Sequence, residues 1–127
     1  MPAASQALPV LVAGGGTGGL AAALALVRCG YAVKVLEQAA EIGEIGAGIQ
    51  LGPNAFAALD ALGVGERARG RAVYTDCMVM HDAIDEYEVV RIPTGEAFRA
   101  RFAIPDALIP RADVRLSLRE GVRDSGP

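Results

Sequence analysis

The chain of 127 residues is poor in the residue types that hold metals, disulfides and nucleic acids. It has one histidine, His81, and two cysteines, Cys29 and Cys77, with no CxxC pair and no metal-ligand spacing. That pattern argues against a zinc-type site and against a secreted disulfide scaffold, and no metal is expected. Two isolated thiols without a secretory signal fit a reducing cytoplasm. Lys34 is the only lysine, and the net charge of −3 leaves no basic footprint for nucleic acid. The densest basic cluster, Arg67, Arg69 and Arg71, reads as a solvated surface rather than a phosphate patch.

Charge is missing altogether from Met1 to Val27. Such a stretch resembles a signal peptide or a membrane span, but it has no basic flank before its apolar part. Its middle is five glycines and a threonine, which a spanning helix would not tolerate without losing propensity at every glycine. A buried parallel strand followed by a buried helix face explains the lack of charge without any membrane.

What is present is a strand, a glycine turn, a helix, a strand and an acid, in Val10–Glu37. The apolar run Leu8–Ala13 leads into Gly14-Gly15-Gly16-Thr17-Gly18-Gly19, and an Ala/Leu-rich stretch follows to Cys29. Gly30 is placed to end that helix in a left-handed cap, and Tyr31–Leu36 is a second β-type run ending at Glu37. This is the dinucleotide fingerprint with its structural context intact. Gly14 permits the tight turn, Gly16 lets a pyrophosphate approach the backbone, and Gly19 lets the helix pack close to the sheet. The helix N-terminus near Thr17 offers N–H groups and a positive dipole end to phosphate. Glu37 suits a ribose diol and repels a 2′-phosphate, which favours FAD or NAD over NADP. A glycine loop that binds nothing is the alternative, and the strand–helix–strand context weighs against it.

Beyond Glu37, the periodicity predicts the following elements. Gln38–Gly52 is a fixed glycine loop anchored by Ile42, Ile45, Ile49 and Leu51. Pro53 opens a helix over Asn54–Leu62, with Ala55, Phe56, Leu59 and Leu62 on one face and Gly63 ending it, and a helical turn follows at Val64–Arg69. Alternation predicts one long strand from Ala72 to His81, a turn at Asp82–Glu86, and an antiparallel return over Tyr87–Ile92. Pro93-Thr94-Gly95 breaks that strand; Ala97–Pro110 reads as loop with a short strand near Phe102 or Ile109. Asp113–Arg123 is a last helix, with Asp113 as N-cap and Ala112, Leu116 and Val122 inward.

Together with the fingerprint and Glu37-Gln38, the segments Ile45–Asn54 and Arg111-Ala112-Asp113 resemble the single-component FAD-dependent aromatic hydroxylases, a family of flavoprotein monooxygenases. The runs GEIGAGIQLGPNA and RIPTGEAFRARF are most similar to the members that hydroxylate 3-hydroxybenzoate. The resemblance implies an α/β fold: the N-terminal part of a Rossmann-like FAD-binding domain (a βαβ unit) with an antiparallel β-hairpin insertion. The implied division is a leader at 1–7, the βαβ unit and glycine loop at 8–71, the hairpin at 72–93, and loop and final helix at 94–127. It also implies that Gly14, Gly16, Gly18 and Gly19 line the FAD pyrophosphate and that Glu37, with Gln38 beside it, holds the adenosine ribose. Gln50 would lie toward the flavin, and Arg111 would reach the cofactor from the far side of the domain. Loop hydrogen bonding alone for Gln50, and an ion pair with Asp113 for Arg111, stay open as alternatives.

The implied chemistry is hydroxylation of a phenolic aromatic acid, here 3-hydroxybenzoate to 2,5-dihydroxybenzoate, with O₂ and with NADH as electron donor. No membrane or nucleic-acid partner is expected, and no residue is singled out as a catalytic base: Tyr74 and His81 fit structural roles better. Pro110 departs from the family, whose members carry histidine before the arginine, and histidine is also frequent where Arg115 stands. Family members are several times longer, so the chain reads as an N-terminal fragment. A non-catalytic nucleotide-binding fragment, a salicylate hydroxylase-like enzyme and an NAD-linked dehydrogenase domain are the competing readings; the glycine loop of Gln38–Asn54 argues against the last.

Overall fold

The computed structural model describes residues 8–39, 47–104 and 106–125. Two parallel strands, β1 (Val10–Ala13) and β2 (Val33–Leu36), are joined through helix α1 (Thr17–Arg28), with Val10 opposite Val33 and Ala13 opposite Leu36. The helix forms over the Ala/Leu-rich stretch that follows the glycines. Leu20, Ala23 and Leu24, spaced at i, i+3 and i+4, make its buried stripe. It ends as expected: Gly30 takes φ +87°, its amide donates to the Val27 carbonyl, and the Tyr31 amide donates to Leu26.

A second sheet has three antiparallel strands in the order β3 (Gly48–Leu51), β7 (Ala107–Pro110), β4 (Val73–Tyr74). Two expectations are corrected here. The second half of the supposed glycine loop is strand β3, because Ile49 and Leu51 pack inward while the backbone pairs with β7. The supposed long strand from Ala72 to His81 is two strands with different partners. Its start, β4, pairs with β7, whereas β5 (Cys77–His81) pairs with β6 (Glu88–Pro93) as a separate hairpin. The break falls at Thr75-Asp76, where the Asp76 carbonyl accepts the Thr94 and Gly95 amides and so leaves the strand alternation.

Helix α2 (Pro53–Ala61) opens on Pro53, and α3 (Gly65–Arg69) follows directly. Helix α4 (Glu96–Phe102) replaces the expected loop, so Phe102 is helical; its ring packs on Phe98 with centroids 4.6 Å apart. The last helix, α5, runs from Arg111 to Ser125, two residues earlier than expected, so Asp113 lies within its first turn rather than at its cap. Its inward face is also corrected. Val114, Arg115, Ser117, Leu118 and Gly121 are buried, Val122 packs at the core's margin, and Ala112 and Leu116 are exposed. Gly121 sets how near α5 approaches: a Cβ there would stand 2.6 Å from Val64 and 3.0 Å from Leu24.

The core joins α1, α2, α3, β7 and α5 through Leu20, Leu24, Phe56, Ala68, Ile109 and Leu118. Arg67, Arg69 and Arg71 fasten its rim to acids: Arg67 meets Asp124, Arg69 forks onto Asp60, and Arg71 meets Glu120. Arg67 is exposed, whereas Arg69 and Arg71 are half-buried in these pairs. The leader at 1–7, and Ile42, Gly43, Ile45 and Gly46 of the glycine loop, lie outside the described residues.

Candidate functional site

The site starts where β1 runs out. Gly14 takes φ +106°, a backbone conformation that a side chain would strain, and its amide still donates to the Leu36 carbonyl at 2.7 Å. The chain therefore turns sharply at the end of the parallel pair and enters α1 through Gly16, the N-cap residue. No side chain caps this helix and no acid stands in its first turn. The first amides of α1 are thus presented to an anion outside the chain. No heavy atom comes within 4 Å of the place a Cβ would take at Gly14, Gly16 or Gly18, so the approach to these amides is open. Gly19 differs from these three. A Cβ there would collide with the Gly14 carbonyl oxygen, so the lack of a side chain lets the turn fold back onto the helix.

Glu37 closes the other side. Its Oε2 accepts the Gly15 amide at 2.7 Å and its Oε1 accepts the Ala39 amide at 2.9 Å. Those two bonds, Ala39 first and Gly15 second, hold the carboxyl below the usual glutamate range, with a smaller contribution from Arg115. The carboxylate is exposed, so it remains available to hydroxyl donors. Ala13, Gly14, Leu36, Glu37 and Gln38 line an open cleft of about 560 Å³ at the carboxyl ends of β1 and β2. In an α/β sheet this end is where ligands bind. Open glycine amides beside an acid fit a pyrophosphate joined to a ribose, the shared half of FAD and NAD.

Gln50 and Arg111 lie elsewhere, Gln50 on the antiparallel sheet and Arg111 at the start of α5, beside it. Gln50, on β3 opposite Leu108, donates through Nε2 to the Asp106 carboxylate. It lines a smaller pocket of about 170 Å³ with Thr75, Cys77, Met78, Asp106 and Leu108. Arg111 is the first residue of α5, and its amide donates to the Ala47 carbonyl at 2.9 Å, which carries the β3–β7 ladder one step past Pro110. Pro110 thus ends a strand and the helix begins at once. The structure brings the four glycines, Glu37 and Gln38 to one end of the βαβ unit; Gln50 is on strand β3 and Arg111 begins α5 at the end of the neighbouring sheet.

Two residues escaped the sequence reading. Asp106 is 6% exposed, a buried acid held by Gln50. Arg115 is 7% exposed and donates from both Nε (3.2 Å) and Nη2 (2.9 Å) to the Gly15 carbonyl. The available signal for Arg115 was its position one turn after Arg111 and between Val114 and Leu118, a charge on the apolar side of a helix. Tyr74 and His81 are partly or wholly exposed strand residues, and His81 Nδ1 lies 2.9 Å from the Glu86 carbonyl. Among the described residues no three His, Cys, Asp or Glu side chains gather to hold a metal, and no helix is long and apolar enough to cross a membrane.

Known proteins resemble both the sequence and the fold. The family model for the FAD binding domain matches residues 7–119. The 3-hydroxybenzoate 6-hydroxylase of Polaromonas naphthalenivorans (strain CJ2) is 77% identical over 119 residues, covering 94% of this chain and 30% of that protein. The enzyme of the same name from Klebsiella oxytoca is 56% identical, over 91% of this chain and 29% of its own length. A variant of HpxO from Klebsiella pneumoniae, solved with FAD, superposes with a TM-score of 0.76 at 25% identity, over 94% of this chain and 30% of that one. The chain thus spans about 30% of the length of the relatives it matches. With its parallel βαβ unit, open glycine turn and terminal acid, it belongs to the FAD binding domain family of the flavoprotein monooxygenases.

Proposed function

We propose that the chain supplies the FAD-binding part of an NADH-dependent monooxygenase that converts 3-hydroxybenzoate to 2,5-dihydroxybenzoate in the cytoplasm. The 77% identity to a 3-hydroxybenzoate 6-hydroxylase, spread over 94% of the chain, carries the substrate assignment. The cleft carries the cofactor assignment. In this reading the amides around Gly14, Gly16 and Gly18 bind the pyrophosphate, and Gly19 keeps the turn tight against α1. Glu37 accepts the adenosine ribose hydroxyls, with Gln38 forming the adjoining wall. Gln50 faces the cofactor from the antiparallel sheet and Arg111 from the start of α5, where its guanidinium fork suits phosphate or ribityl oxygens.

When bound, FAD supplies the redox and oxygen chemistry. The residues described here bind and orient it, and none of them is assigned the proton transfer at the phenol. Purified protein is expected to carry visible flavin absorbance, and the protein that contains this chain is expected to oxidise NADH faster when 3-hydroxybenzoate is added. Flavin binding without substrate-stimulated oxidation would leave a nucleotide-binding fragment. Stimulation by salicylate instead would move the substrate to that relative.

A further inference from the structure

Arg115 reaches the glycine turn from behind. The turn separates α5 from the cleft, and the arginine's Nε and Nη2 both donate to the Gly15 carbonyl. A peptide unit is planar and trans, so its C=O and the following N–H point in opposite directions. Fixing the Gly15 carbonyl toward α5 therefore turns the Gly16 N–H away from α5, toward the open space in front of the turn. The Gly15 amide is fixed as well, by its bond to Glu37. Both peptides of this turn are thus pinned from outside it, one by an acid and one by a base. Without such pins, successive glycines have more freedom to rotate their peptide planes than any other residues.

We propose that Arg115 is a positioning residue that locks the Gly15–Gly16 peptide so that the Gly16 amide faces the cofactor's pyrophosphate. The proposal rests on the reading of this cleft as a pyrophosphate site. Two features make the arginine suitable. Its guanidinium forks onto one oxygen with two donors, which fixes direction as well as distance. Its charge also lies on the phosphate side of α1, where it adds to the positive end of the helix dipole.

The test uses the protein that contains this chain, prepared without flavin, and three ligands: FAD, ADP and adenosine. ADP carries the pyrophosphate and adenosine does not, so a peptide lock separates them. Arg115→Met is expected to weaken FAD and ADP by about tenfold or more while leaving adenosine within about twofold. Arg115→Lys keeps the charge and loses the fork, and is expected to recover only part of the loss. Equal weakening of ADP and adenosine would overturn the lock in favour of general loosening, and so would full recovery with lysine in favour of charge alone. Unchanged ADP affinity in Arg115→Met would also overturn it. If the methionine variant does not fold, Arg115→Gln, which retains one donor, carries the same ADP-to-adenosine comparison. Wild-type protein that binds neither FAD nor ADP would overturn the cofactor reading itself, before any substitution is made.

Discussion

The half of the molecule around α1 and α5 and the half around the β5–β6 hairpin are held together by different forces. In the first, every buried apolar side chain of the core comes from α1, α2, α3, β7, α5 or the short link at Val64. In the second, α4 buries nothing, and Met80, Val89, Val90 and Ile92 are exposed. Polar contacts hold the base of the hairpin to the segment before it. Thr94, buried at its base, donates through Oγ1 to the Thr75 carbonyl at 2.8 Å and through its amide to Asp76. The glycine turn and its acid are built on the packed half. A site that must hold peptide planes in fixed directions is placed where the backbone has the least freedom, and the hairpin, which packs less, carries none of the cleft's walls.

The largest effect that tests this contrast is at Phe56, which is fully buried and lies under the Arg69 guanidinium, 5.2 Å from the ring centroid. Phe56→Ala leaves a cavity between α2 and the helices it packs on, at an expected cost of about 3–5 kcal/mol. Urea unfolding measures it. A loss below about 1 kcal/mol would mean that the core does not hold this half together, and the contrast would fail.

A smaller effect separates the cleft from its scaffold. Glu37→Gln keeps an acceptor for one amide and removes the charge that Gly15 and Ala39 share. FAD affinity is expected to fall about tenfold, read by flavin fluorescence, with the fold intact. The pH dependence follows from the lowered pKa of Glu37. The folded chain binds the Glu37 proton less tightly than the unfolded chain, so the carboxylate's contribution to stability is complete above the usual glutamate value, about 4.3. It is lost as pH falls through the lower, folded value. The stability difference between wild type and Glu37→Gln should therefore be constant from about pH 8 to pH 5 and shrink on further acidification. A difference that grows in acid would reverse the sign and remove the Gly15 and Ala39 bonds as its cause.

The legible part was the βαβ unit within the packed half. Strand, glycine turn, helix and acid each have a local cause: the i, i+3, i+4 stripe of Leu20, Ala23 and Leu24, the left-handed Gly30, and the Gly19 contact that excludes a side chain. The corrections fall where partners distant in sequence decide. Gly48–Leu51 becomes a strand because β7, some sixty residues on, offers it a ladder, and nothing within the segment announces that. The run from Ala72 to His81 alternates without interruption, yet β7 takes its start and β6 takes its end. Leu116 read as inward because it is apolar, but the inward turn of α5 is set by Leu118 and Gly121 against α1, which places Arg115 inside and Leu116 outside. A charged residue on a buried face is where periodicity misleads, and here it marks the contact between α5 and the glycine turn.

The smallest effect belongs to the hairpin. Val90 pairs with Met80 across β5 and β6 but is 41% exposed, so truncating it opens no cavity. Val90→Ala is expected to shift stability by no more than about 0.5 kcal/mol, an order of magnitude less than Phe56→Ala. Arg91, itself exposed, forks onto the half-buried Glu88 and should likewise leave the unfolding midpoint in place when changed to alanine. Hydrogen exchange then distinguishes a hairpin that opens by itself from one that opens only with the core. With few buried apolar contacts, the amides of Cys77–His81 and Glu88–Pro93 should exchange faster than those of α1 and α5. They should also keep their rates in Phe56→Ala as long as the core stays folded. Hairpin amides that match the core amides, and accelerate with them in that variant, would make the two halves one cooperative unit. The polar clasp at Thr94 would then have to transmit what the apolar core does not.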